Sequence, residues 1–163
     1  PTRRSSDLTL ATHFLNSPNR PPIKQSTGAV QAFKRVTTEW YIRDNWRAEF
    51  AWGKNDCLLF VSNFLIALGH PDYARDVRER YRSKEGAETM LRMMGFFSVA
   101  ECVSSYLKPK PLKAVERGDV VMYSSNCLGI FSGNVSHFML PEKGLIGLRS
   151  HALTHAWESS CAT

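Results

Sequence analysis

The stretch that leaves this chain least choice runs from Asp56-Cys57 through Leu58-Leu59-Phe60-Val61-Ser62-Asn63-Phe64-Leu65-Ile66-Ala67-Leu68 to Gly69. Only Ser62 and Asn63 interrupt the apolar run. It is longer than an ordinary strand and is bounded by helix signals on both sides. Asp56 is a good N-cap, because its side-chain oxygens can accept from the orphan amides of a first turn. Gly69 and then Pro71 supply the stop. Apolar side chains lie almost all the way round this predicted helix, so it has no face to offer to water and must be buried. Cys57 occupies its first position, where free amides and the positive end of the helix dipole favour a thiolate. A cysteine held there is a candidate nucleophile, and the same amides could stabilise an oxyanion formed by its attack.

Upstream, Phe50-Ala51-Trp52-Gly53-Lys54-Asn55 reads as a tight turn feeding the helix. Downstream, Arg117-Gly118-Asp119-Val120-Val121-Met122-Tyr123 is followed by Leu128-Gly129-Ile130-Phe131-Ser132-Gly133-Asn134. Together these pieces resemble the NlpC-type cell-wall cysteine peptidases, a bacterial and phage branch of the papain-like fold. That family carries Tyr-x-Trp-Gly, a short loop, then Asp-Cys opening a central helix that ends in Gly. Its later segment, Gly-Asp-Leu-Val-x-Phe and His-Val-Gly-Ile-Tyr-x-Gly, forms a small sheet facing the helix. The nearest likeness is to phage and prophage tail-module relatives with the same short Trp-Gly-x-x-Asp-Cys loop. It covers roughly Lys34 to Trp157.

The resemblance implies a role for each matching residue. Cys57 takes the nucleophile's place, and Phe50, Trp52, Gly53, Asp56 and Cys127 are expected around the cleft. Two positions depart from the pattern. The family's catalytic His falls on Cys127, and the Tyr whose hydroxyl helps at the oxyanion falls on Phe50. A thiol is a poor substitute for an imidazole poised near neutral pH. Cys127 is either the remnant of that base position or an inert core thiol. His137, on a predicted strand beside the cleft, is the candidate stand-in base, with Asp119 or Asn134 as its orienting group.

Two functions follow as expectations. The first, preferred, is a catalytically degenerate tail-associated domain serving binding or assembly. The second is an active cysteine hydrolase cutting bacterial wall peptides at γ-D-glutamyl-diaminopimelate bonds, with Cys57 attacking the carbonyl. The partners implied are cell-wall peptides or phage tail proteins, and the location is the bacterial cytoplasm or the virion tail.

The rest of the chain bounds these readings. Pro1-Thr2-Arg3-Arg4-Ser5-Ser6-Asp7-Leu8 coincides with one reading frame of a common sequencing-adapter end, and residues 1–8 are expected to be extraneous. Residues 9–33 have little hydrophobic periodicity and read as a disordered leader before a domain at 34–160. Of the net charge of +6, residues 1–35 carry six basic residues and one acid, against 15 basic and 14 acidic in the remainder. The domain itself is therefore near neutral, which removes the basis for nucleic-acid binding. The longest apolar run is too short and too well capped to span a bilayer, so no membrane insertion is expected.

Val36 to Phe50 is predicted as a short helix whose aromatics Trp40, Tyr41, Trp46 and Phe50 serve core and cleft wall. Asp76–Tyr81 reads as a charged, partly helical connector. Ser83 can cap a helix through Met94 with Ala87, Met90, Leu91 and Met94 inward, and Ser98–Leu107 reads as another. After Lys108-Pro109-Lys110-Pro111 come strands at Val120–Tyr123, Leu128–Phe131, Val135–Leu140 and Leu145–Leu148. Ala152 to Trp157 closes the domain, with Trp157 packed on the sheet. Helices first and a meander afterwards argue an α+β fold with the Cys57 helix packed on an antiparallel sheet. Cys57, Cys102, Cys127 and Cys161 lack C-x-x-C spacing, and neither a thiolate-bound zinc nor any cofactor is expected. His151 and His155, four apart, would form a metal pair only on a shared helical face.

Overall fold

The computed structural model describes residues 27–124 and 126–160. The presumed adapter segment and most of the expected leader lie outside them. The end of that leader does not, because helix α1 runs Thr27–Asp44 and makes residues 27–33 helical. Its buried stripe is Lys34, Thr38, Tyr41 and Ile42, at helical spacing. Lys34 and Thr38 are polar, so apolar periodicity places the start of this helix too late.

Helix α2, Cys57–Ala67, is the predicted central helix. Leu59, Phe60 and Phe64 are fully buried, each contributing roughly 1.5–3 kcal/mol of transfer free energy. The chain leaves through Leu68 and Gly69, the glycine at φ +97°, a left-handed exit that favours a residue without Cβ. Helices α3, Lys84–Met93, and α4, Val99–Tyr106, are capped by Ser83 and Ser98. The connector at 73–80 is a series of turns whose Val77 is buried. Helix α3 buries none of its residues, so Ala87, Met90 and Leu91 are only partly covered.

All six strands pair antiparallel: β1 Pro109–Lys110, β2 Val120–Tyr123, β3 Cys127–Phe131, β4 Val135–Leu140, β5 Gly144–Arg149 and β6 Leu153–Trp157. Their order is β1-β6-β2-β3-β4-β5. The α+β class and the meander from β2 to β5 agree with expectation. The closing segment does more than pack on the sheet. As β6 it lies between β1 and β2, with Trp157 opposite both Pro109 and Val120. The Trp157 indole N–H donates to Ser104 Oγ at 2.9 Å, joining the last strand to α4.

Alternation along the strands divides the apolar residues between two faces. Val120, Met122, Leu128, Ile130 and Met139 meet Phe60, Val61, Phe64 and Leu65 of α2, with Tyr41 and Ile42 of α1. Val121, Phe138 and Ala156 gather in a separate cluster. A further cluster, Leu59 with Ala74, Val77 and Tyr81, lies on the connector side of α2.

Gly118-Asp119 ties α1 to the sheet. Gly118 has φ +89°, and a Cβ there would come within 2.7 Å of Lys34 Cγ and Thr38 Oγ1. That close approach lets Lys34 Nζ reach Asp119 Oδ1 at 2.5 Å, while Lys110 Nζ and the Glu116 amide each reach Oδ2 at 2.8 Å. Asp119 is wholly buried and Lys34 nearly so. A buried carboxylate with two ammonium partners and an amide is satisfied, and it belongs to the frame of the fold.

Candidate functional site: a thiol pair in an apolar cleft

The turn at 51–56 explains why Trp-Gly and Asp-Cys occur together. Ala51 and Asn55 pair through their backbones, with Asn55 N donating to Ala51 O at 2.8 Å. Gly53 sits at φ +72°, and any Cβ on it would run into the Tyr81 carbonyl oxygen. Asp56 then accepts three bonds: Leu59 N on Oδ1 at 3.0 Å, and Gly53 N at 2.9 Å and the Tyr81 hydroxyl at 2.6 Å on Oδ2. One buried side chain caps α2, closes the turn and anchors the connector. Burial, then the bond to Asp56, push the Tyr81 hydroxyl well above its ordinary pKa, which keeps it a donor.

This frame sets Cys57 at the mouth of α2, half-buried, against the start of β3. Its Sγ lies 4.0 Å from the Asn126 carbonyl oxygen. Cys127, the next residue, is also half-buried, and it lines the same cleft as Cys57. The neighbouring Cys127 thiol is the largest influence holding the Cys57 thiol below its ordinary value, with the Leu128 and Leu58 backbones adding to it. Burial and Asp56 oppose them. Cys127, beside Cys57, is pushed far up and keeps its proton. The resemblance puts an imidazole at this position; here the neighbour is a thiol.

Cys57 and Cys127 open onto a cleft of about 580 Å³. Phe50 and Trp52, edge to face at 4.9 Å, form one wall. Met90, Leu91 and Met94 with Val99 and Tyr106 form another, and Lys84, Glu88 and Arg92 add charge to the lining. Cys102 lines the same cleft, but burial first and Glu101 second push its thiol up to about 11. Among the described residues no histidine lines it.

The family that matches is described as Domain of unknown function (DUF6950), over residues 30–159. The chain belongs to that DUF6950 family. No curated protein matches it. The matched span takes in α1 from residue 30, the Asp56 turn, both cysteines of the cleft and all six strands.

Four expected site residues fall elsewhere. Gly53 is packed beneath Tyr81 and does not line the cleft, although its neighbours Trp52 and Asp56 do. His137 pairs with Ile130 on β3, three positions beyond Cys127 along the same strand. At the strand rise that is about 10 Å. It lies instead in a second hollow with Ile42, Trp46 and Ser132, its ring 6.0 Å from that of Trp46. Ser132 Oγ donates to Val135 O at 2.9 Å, so it accepts from His137 Nδ1 at 3.0 Å and sets the Nδ1–H tautomer. Asp119 is committed to Lys34 and Lys110 and touches neither Cys57 nor His137 through any bond described. Asn134, the other orienting candidate, is exposed in the turn after β3.

His151 falls in the short 3-10 turn Ser150–Ala152 and His155 in β6, so they do not share a helical face. His155 stacks on Trp157 at 5.7 Å. Sequence reading missed Tyr81 as the partner of Asp56, and it missed that the two thiols open onto one cleft. No local signal marks either, since both pairs join residues far apart in the chain.

The chemistry available follows from the groups present. A stabilised thiolate with a protonated thiol beside it can attack an electrophile. Cleaving an amide also needs an acid to protonate the departing amine, a contribution typically worth about 10²- to 10⁴-fold. The described cleft has no imidazole to supply it.

Proposed function

We propose that this chain is a papain-like, NlpC-type domain of a phage or prophage tail module that keeps the cleft of its relatives and works by binding, its amide-cleaving chemistry lost. One observation carries the reading: Cys57 has a thiol, Cys127, where amide hydrolysis calls for an imidazole, and His137 lines a different hollow. The order of the Trp52-Gly53, Asp56-Cys57 and Gly118-Asp119 motifs supports the fold assignment. The apolar cleft supports a binding role, because flexible methionines and aromatic walls adapt to apolar side chains.

Its ligand is a peptide segment of a tail protein or of the cell wall that inserts an apolar side chain between Trp52 and Met90. The competing reading, an active NlpC-like hydrolase, draws its support from the motif resemblance and from the lowered Cys57 thiol. Incubating the chain with bacterial wall sacculi separates the two. The binding reading expects no released peptide. Release that disappears in Cys57→Ala would make this a working hydrolase and sink the proposal.

A further inference from the structure

The mouth of α2 and the start of β3 bring two thiols into one solvent-reaching cleft, and nothing in amide chemistry uses the second of them. We propose that Cys57 and Cys127 form a thiol–disulfide exchange site, with Cys57 the attacking thiolate, Cys127 the resolving thiol and disulfide-bonded compounds the substrate class. The pair meets the requirements from independent directions. The two thiols line one cleft, and Cys57 Sγ lies 4.0 Å from the carbonyl joined to Cys127. Both are half-exposed on the cleft. Both are free thiols. Cys57 has a helix mouth and a neighbouring S–H to stabilise its anion, while Cys127 holds its proton until that anion is consumed.

Disulfide exchange also asks for what this cleft has and omits what it lacks. Its leaving group is a thiolate with an ordinary pKa near 8.5, so no imidazole is needed to expel it. In the first step the Cys57 thiolate attacks one sulfur of a substrate disulfide. A Cys57 mixed disulfide forms, the substrate S–S bond breaks, and one thiolate departs with the bonding pair. In the second step Cys127 gives its proton to solvent and attacks Cys57 Sγ, expelling the other half as a thiolate that takes up a proton. The chain's two thiols are oxidised to a Cys57–Cys127 disulfide, and the substrate disulfide is reduced to two thiols. The product staples α2 to β3 across the cleft and is reopened by a dithiol running the same steps backwards. Cys102, buried and with its thiol pushed up to about 11, takes no part.

The test treats the full chain with glutathione disulfide and reads intact mass, thiol content and the linked peptides by mass spectrometry. The wild type is expected to lose two hydrogens and yield one linkage, Cys57 to Cys127, reversed by dithiothreitol. Cys127→Ser is expected to stop at one glutathione, on Cys57. Cys57→Ser is expected to lose most of the reaction at Cys127, and Cys102→Ser and Cys161→Ser to behave as wild type. Circular dichroism of each variant checks its fold, and the mixed disulfide trapped in Cys127→Ser reads the roles without needing the Cys57 variant. The proposal is overturned if the wild type keeps glutathione on Cys57 unresolved, if Cys57 pairs with Cys102 or Cys161 instead, or if neither thiol reacts faster than Cys102. Because no wall substrate enters, the outcome is separate from that of the sacculus assay.

Discussion

The Tyr81 hydroxyl donates to Asp56 Oδ2 at 2.6 Å, across a buried contact between the connector and the helix mouth that presents Cys57. The same carboxylate oxygen takes the Gly53 amide, and its other oxygen takes Leu59 N. The nucleophile's position thus depends on a residue far from it in sequence. Tyr81→Phe keeps the ring in its cluster and removes one donor from a buried carboxylate. Hydrogen bonds to charged groups are worth about 1.5–3 kcal/mol. A loss of that size is expected in urea unfolding, with the Gly53 turn loosened. A change within error would show that the carboxylate is satisfied without Tyr81.

Asp119 was a candidate catalytic group, and its surroundings make it a structural one. Asp119→Ala leaves Lys34 and Lys110 without their shared partner in a buried setting. Breaking such a pair by removing one member costs about 3–5 kcal/mol. The expected result is a large drop in the urea midpoint while the rate of Cys57 alkylation, measured where the variant is still folded, stays at the wild-type value. A selective loss of Cys57 reactivity without loss of stability would return Asp119 to the site.

The pH profile of Cys57 alkylation by iodoacetamide tests the thiol pair directly. The midpoint is expected below that of an ordinary thiol, since the Cys127 S–H leads the causes that lower it. Cys127→Ala removes that thiol and should move the midpoint up, slowing alkylation about tenfold for each unit of displacement at pH values below it. His137→Ala should leave the profile unchanged, because His137 lines the other hollow. A profile that follows His137 and ignores Cys127 would refute this description of the cleft.

Burial holds the His137 imidazole below its ordinary pKa. An unfolded chain binds that proton at about pH 6.5, before the folded one does. The stabilising contribution of the neutral ring is therefore complete above that value. It is lost as pH falls toward and through the lowered folded pKa. His137→Gln should flatten the decline in melting temperature between about pH 7.5 and pH 5, where the wild type loses stability. Equal slopes for the two proteins would mean that His137 does not contribute to the acid limb.

Sequence alone determined the parts of this protein whose causes are local. Asp56 before an apolar run, with Gly69 behind it, specifies a capped and buried helix, because capping and the left-handed exit act over one turn. Alternation and turn residues likewise marked β2 and β4 at their observed limits and β3 and β5 to within a residue. The start of α1 was hidden because its buried stripe includes Lys34 and Thr38, polar residues that reach the interior only when Gly118 and Asp119 arrive to receive them. The place of β6 between β1 and β2 was equally out of reach, since strand order is a long-range choice that turn chemistry does not encode. The site divides the same way. Local signals identified Cys57 as the thiol at a helix mouth, but its neighbour was decided by strand register, which sets Cys127 on the same cleft and carries His137 about 10 Å further along the ladder. The candidate imidazole His137 and the candidate thiol Cys127 both lay in the sequence, and only the packing of β3 against α2 determined which of them Cys57 would meet.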